Sequence, residues 1–179
     1  MKLSSPRTWL LIGGALALLA GAVVVYVIKN PPLPPGWARH EEKRYHVALP
    51  PGTGRSTTPD PWTIRYIHDL EKHGRVSIYS QDMSWMGPLH VEEVLDEHVK
   101  RWSDPKLPAR VIKCEPVTWR SYPARTVTVN WVAEPVDHQT SKHFVVLAKD
   151  WLHEIIVDLA DGEISEEDAD FLFRSFRPR

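Results

Sequence analysis

The side chains best able to do chemistry in this 179-residue chain are its nine histidines and one cysteine. A metal or acid–base site needs several of them on one face, within about 2 Å of an ion or within hydrogen-bond reach of a substrate. His90 and Glu93 fall one helical turn apart, and His153 adjoins Glu154 in a strand-like run, but neither pair completes a His-Glu-x-x-His pattern. His98 lies seven residues after Val91 and reads as a packed or helix-flank residue. His40, His46, His68, His73, His138 and His143 are too dispersed for spacing to join them. No metal or other cofactor is expected.

Cys114, the only cysteine, can form no intramolecular disulfide. A reactive thiol would need a nearby base or positive charge to depress its pKa, and alternation along its strand is as compatible with burial, so it reads as a packing residue. Gly52-Thr-Gly-Arg-Ser-Thr57 has the glycines of a phosphate loop without its Gly-Lys-Ser/Thr ending, and reads as a surface turn. No Gly-x-Ser-x-Gly elbow is present, which disfavours a serine hydrolase of that type. The segment Gln81-Asp-Met-Ser-Trp-Met-Gly-Pro88 places Met83, Trp85 and Met86 in a strand-to-helix connection. Two flexible thioethers and an indole compose an adaptable apolar contact, so these three residues are the candidate partner-binding site, against the alternative that they cap an edge of the core.

The elements that must position these residues begin with an uncharged run, Trp9 to Ile28. As a helix it would reach roughly 30 Å, the thickness of a bilayer's hydrocarbon layer. Lys2 and Arg7 precede it, and Trp9 and Tyr26 sit near its ends, so it reads as a single-pass signal anchor with the N-terminus inside. Two alternatives stand beside that reading. Ala20-Gly21-Ala22 fits a signal-peptidase site, with cleavage after Ala22, and Lys29, Arg39, Lys43 and Arg44 would favour the reverse orientation. The expected organisation is a cytoplasmic terminus (1–8), the anchor (9–28), a stiff Pro-rich linker (29–36) and one domain (37–179). All 23 acids and all but three of the 22 basic residues follow Asn30, which leaves the domain at −4 and excludes the positive field that nucleic-acid binding needs.

Within the domain, Tyr45 to Leu49 alternates and stops at Pro50-Pro51-Gly52, predicting a first strand. Thr63 to Ile67 and Val76 to Tyr79 predict a hairpin around Asp69 to Gly74. Val91, Val94, Leu95, Val99 and Trp102 fall at helical offsets from Pro88 to Asp104-Pro105. Four β segments follow, Val111 to Trp119, Ala124 to Ala133, His143 to Lys149 and Trp151 to Leu159. Ser165-Glu-Glu-Asp168 is a capping box opening a last helix with Phe171, Leu172 and Phe176 on one stripe. This pattern predicts an α+β domain whose antiparallel sheet of about six or seven strands is covered by helices.

In its order of elements from Tyr45 to Phe176 the chain resembles the PsbP-like and DcrB-like families. Three local features carry the likeness: Val47-Ala-Leu-Pro-Pro-Gly52, the hairpin Val117-Thr-Trp-Arg-Ser-Tyr-Pro-Ala-Arg-Thr126, and Phe173-Arg-Ser-Phe-Arg177 near the end. The resemblance implies an α/β/α sandwich used as a binding scaffold, with members as different as an extrinsic photosystem subunit and chaperones for secretion effectors. The expectation is therefore a non-catalytic binding or assembly module in the bacterial inner membrane. Its domain would face the periplasm or exterior and meet an envelope protein partner. The alternatives are a histidine-cleft enzyme or metal-dependent factor, and a chaperone for apolar segments of secreted effectors.

Overall fold

The computed structural model describes residues 6–29, 32–51, 76–86, 90–132, 139–159 and 164–179, with side chains left out at 6–13, 27–29, 86 and 139. The chain divides into two units, Met1–Gly36 and Trp37–Arg179. In the first, the apolar run forms α1, Pro6–Lys29, a helix of 24 residues. Its described side chains are all exposed, among them Leu16, Leu18, Leu19, Val23, Val24, Val25 and Tyr26. Among the described residues, which for the side chains of α1 are 14–26, no helix is long and apolar enough to cross a membrane.

The second unit runs β1 (Ala38–Glu41), β2 (Tyr45–Leu49), β3 (Val76–Asp82), a 3-10 turn (Ser84–Met86), α2 (Val91–Lys100), a 3-10 turn (Arg101–Ser103), β4 (Ala109–Trp119), β5 (Tyr122–Trp131), β6 (Gln139–Ala148), β7 (Trp151–Leu159), α3 (Glu166–Ser175) and β8 (Arg177–Pro178). The fold is α+β, but the expectation of one sheet of about six or seven strands is corrected: the described residues form two antiparallel sheets. The larger has the order β3-β7-β6-β5-β4 and the smaller β1-β2-β8. Tyr45–Leu49 packs as part of the small sheet and does not extend the large one. Its partners, Ala-Arg-His-Glu and Arg-Pro, lack the apolar alternation by which a strand is recognised. The expected strand Thr63 to Ile67, its loop and Gly52 to Thr57 lie outside the described residues.

Alternation along each strand sends successive side chains to opposite faces of the large sheet. On one face Phe144, Val146, Ile155 and Val157 join Tyr45, Val47 and Leu49 of the small sheet and Leu172, Phe173 and Phe176 at the C-terminal end. On the other, Leu95 of α2 packs with Val145, Leu147 and Leu152, and Val99 with Val127 and Val129. Arg125 of β5 pins α2 down, its Nε donating to Asp96 at 2.9 Å and its Nη2 paired with Glu92. The last helix starts as its capping box requires: Ser165 Oγ accepts from the Asp168 amide at 3.0 Å, and the Asp168 carboxylate accepts from the Ser165 amide at 3.2 Å. Ser175 Oγ then takes the Ala48 amide at 2.9 Å, tying α3 to β2.

The hairpins β4–β5 and β6–β7 each close through two residues, because Trp119 pairs with Tyr122 and Ala148 with Trp151. Arg120, Ser121, Lys149 and Asp150 all have positive φ, 49°, 73°, 51° and 63°. This is the backbone twist that matches a two-residue turn to right-handed strands, held here without glycine. Cys114 corrects the packing expectation. It stands exposed on β4, the outermost strand of the large sheet. Partial burial around its sulfur still pushes the thiol pKa up, away from the reactive thiolate.

Candidate functional site

Glu154 lies on β7 between Leu152 and Ile156 and points to the α2 side of the sheet, where an acid would ordinarily be replaced by an aliphatic residue. It is 2% exposed. Two elements meet it from above, α2 with His98 and the following 3-10 turn with Arg101 and Trp102. A third, β6, brings His143 from within the sheet. Oε1 accepts from Trp102 Nε1 and His143 Nδ1, each at 3.1 Å. Oε2 accepts from His98 Nε2 at 3.1 Å and from Arg101 Nη2.

Burial pushes the Glu154 pKa up, but the hydrogen bonds from His143 and His98 and the positive charge of Arg101 outweigh it and hold the carboxyl far below the ordinary range. An ionised carboxylate only accepts, so both histidines must present N–H to it. That fixes the network beyond Glu154. His143 Nδ1 carries a proton, so with a neutral ring Nε2 accepts from the Ser141 hydroxyl at 2.8 Å, and Ser141 Oγ in turn accepts from Trp131 Nε1 at 3.0 Å. Trp102 closes over this chain, its ring centre 4.5 Å from that of His143 and 5.7 Å from that of Trp131.

Ser141, His143 and Glu154 thus stand in the order of a serine-hydrolase relay. The chemistry does not follow, because Ser141 and His143 are both 0% exposed and no substrate carbonyl can reach the hydroxyl. With four donors on its two oxygens, Glu154 has no free position for a transferred proton. Among the described residues no group of His, Cys, Asp or Glu is placed to hold a metal.

Beside this network opens a cleft of about 500 Å³, walled by Tyr79, Gln81, His98, Arg101, Trp102 and Leu107, with Glu154 at its base. Its lining combines polar and charged side chains, Ser80 and Asp104 among them, with the apolar Leu152 and Ile156, so a bound small molecule would meet both hydrogen-bonding groups and apolar surface.

The adjacent residues His153 and Glu154 are divided between the two faces. His153 packs by its ring against Tyr45 and Phe176, at centroid distances of 6.0 and 5.1 Å, and its Nδ1 meets Ser80 Oγ at 2.8 Å. Burial, with a smaller contribution from Arg44, pushes its pKa down to about 4, so it is neutral at physiological pH.

The three residues proposed for partner binding are separated. Met83 is buried with Leu95, Val145, Leu147 and Leu152. Trp85 is 73% exposed, its indole N–H donating to the Asp82 carbonyl at 3.0 Å. Met86 belongs to the 3-10 turn Ser84–Met86, and its side chain lies outside the described set. The residues that spacing missed are Glu154, His143, Arg101 and Trp102. The one signal for them in sequence is an acid in the middle of a mostly apolar strand, Leu-His-Glu-Ile-Ile-Val.

The two sheets and three helices of the described residues, with their order, define a PsbP-like α+β fold. It is similar to the solution structure of cyanobacterial PsbP (CyanoP) from Synechocystis sp. PCC 6803, with a TM-score of 0.57 at 14% identity, covering 84% of this chain and 96% of that one. A protein of unknown function, PA94 from Pseudomonas aeruginosa, matches at a TM-score of 0.43 and 10% identity, covering 75% and 86% of the two chains. No family model matches the sequence, and no curated protein does. At 14% identity the likeness is one of fold.

Proposed function

We propose that this chain is a non-catalytic binding or assembly module of the bacterial cell envelope, tethered to the inner membrane by α1 with its domain on the periplasmic or outer side. In this reading it is a membrane-anchored member of the PsbP-like and DcrB-like group, and it meets an envelope protein partner. The observation that carries the non-catalytic part is the saturation of Glu154. The most chemically suggestive carboxylate in the domain is locked by four donors and cannot trade a proton, whereas a general base needs a free lone pair and a pKa near the working pH.

The tether is supported by length and composition. Pro6–Lys29 spans about 36 Å at helical rise, and the sequence from Trp9 to Ile28 has no charge. Leaving seven large apolar side chains exposed to water would forgo on the order of 10 kcal/mol, which a hydrocarbon environment restores. Trp85 remains the surface residue best suited to a protein contact, as a bare indole held at its base by one hydrogen bond.

Alkaline carbonate extraction of cells expressing the full chain or a chain starting at Trp37 tests the tether. The full chain is expected in the membrane pellet and the shorter one in the supernatant; full-length protein in the supernatant overturns the reading.

A further inference from the structure

We propose that the cleft beside Glu154 binds a small amphipathic monoacid, its carboxylate engaged by the Arg101 guanidinium and its apolar body lying against Leu107, Leu152 and Ile156. This rests on the reading of the domain as a binding module and names the ligand class of one site within it.

A buried carboxylate is an expensive way to fill a sheet, since apolar side chains of equal volume are commonly as stable or more so. What Glu154 supplies instead is position. It fixes Arg101 by one nitrogen, and the Arg101 Cζ stands 4.9 Å from the Trp102 ring centre. A guanidinium has five N–H donors in a rigid fork, so an arginine held through Nη2 retains donors for a second carboxylate. Arg101 lines the cleft with its side chain 46% exposed, and Gln81 and Tyr79 stand on the same walls as further hydrogen-bonding groups. Glu154 and Trp102 are in this sense positioning residues, and Arg101 is the contact.

Charge on the rim sets the ligand's valence. Asp104 also lines the cleft, with Oδ1 accepting the Lys106 amide at 2.9 Å. With Glu154 already paired to Arg101, this acid leaves the lining no surplus positive charge, so a carboxylate must be held by the spare Arg101 N–H donors and a diacid or phosphate ester is disfavoured.

The test is equilibrium dialysis of the full chain in lipid nanodiscs, with empty nanodiscs as blank. The probes are indole-3-acetate, its neutral amide indole-3-acetamide, and the amine tryptamine. The acid is expected to bind about tenfold more tightly than the amide, and the amine least. Arg101→Lys keeps the charge but loses the fork and should weaken the acid about tenfold. Gln81→Glu, which adds a negative charge to the cleft wall, should weaken the acid about threefold more than it weakens the amide. Equal binding of acid and amide, preference for the amine, or no acid binding at millimolar concentration overturns the proposal. Carbonate extraction is unaffected by any of these results, so failure of the cleft and failure of the tether are read separately.

Discussion

The two faces of the five-stranded sheet are built on different terms. The face toward α3 and the small sheet is aromatic and aliphatic, with Phe144 and Phe173 stacked at 5.4 Å and Tyr45 and Phe176 in contact at 5.4 Å. The face toward α2 carries two ionic anchors, Arg125 with Glu92 and Asp96, and Glu154 with Arg101, His98, His143 and Trp102. Apolar packing tolerates substitutions of similar volume, whereas a charge network fails when any single partner is lost. The first face secures the fold, and the second spends stability to hold particular groups beside a cleft.

Substitutions on the two faces should separate these roles. Phe176→Ala empties a fully buried site and should cost about 3–5 kcal/mol in denaturant-derived stability, with little change in acid binding at the cleft if the protein is held folded. Glu154→Gln keeps the volume but turns two acceptor positions into donors facing donors, and should cost about 3 kcal/mol or more together with the acid's advantage over the amide. If Glu154→Gln were nearly neutral in urea titrations, the network would be ornamental and the contrast between the faces would fall.

Acid should act on both faces, with different onsets. The buried His153 is held neutral with its pKa pushed from 6.5 to about 4, so it contributes stability above pH 6.5 that is lost as pH falls toward 4, about 3 kcal/mol in all. Glu154, whose pKa is depressed below 4.5, contributes stability present above that value and lost on further acidification. His153→Gln should flatten the stability profile between pH 6.5 and 4, and Glu154→Gln should flatten it below about pH 4.5. An unchanged upper limb in His153→Gln would show that another group sets it.

Smaller effects probe elements shared by the faces. Ser165→Ala removes the side-chain half of the capping box of α3, leaving the residue-165 amide to donate to Asp168, and should cost about 1 kcal/mol. Ser121→Gly relieves a left-handed residue in the β4–β5 turn and should add about 1 kcal/mol. Both are measured as shifts of the urea midpoint at constant slope.

Features encoded locally were legible in the sequence. The capping box at Ser165, the strand Tyr45–Leu49, the helix stripe of Leu95 and Val99 and the strand Trp151–Leu159 each declare themselves within a dozen residues. The division into two sheets was not legible, because Ala38–Glu41 and Arg177–Pro178 are strands by virtue of their neighbours and not of their own pattern. The site was the least legible. His98, Arg101, Trp102, His143 and Glu154 are scattered along 57 positions of the sequence, and only the antiparallel register of β6 and β7 under α2 assembles them. Met83 differs from its sequence expectation for a related reason: a methionine in a connection looks available, but this connection folds back, the Met83 amide donating to the Asp150 carbonyl at 2.8 Å while its side chain is buried.

The most direct test of a tethered envelope module is protease accessibility of a C-terminally tagged full chain in intact spheroplasts and in detergent-lysed ones. The account predicts that the tag is lost in intact spheroplasts while a cytoplasmic control protein survives. A tag protected until lysis would contradict it, placing the domain inside the cell and bringing the chaperone reading forward.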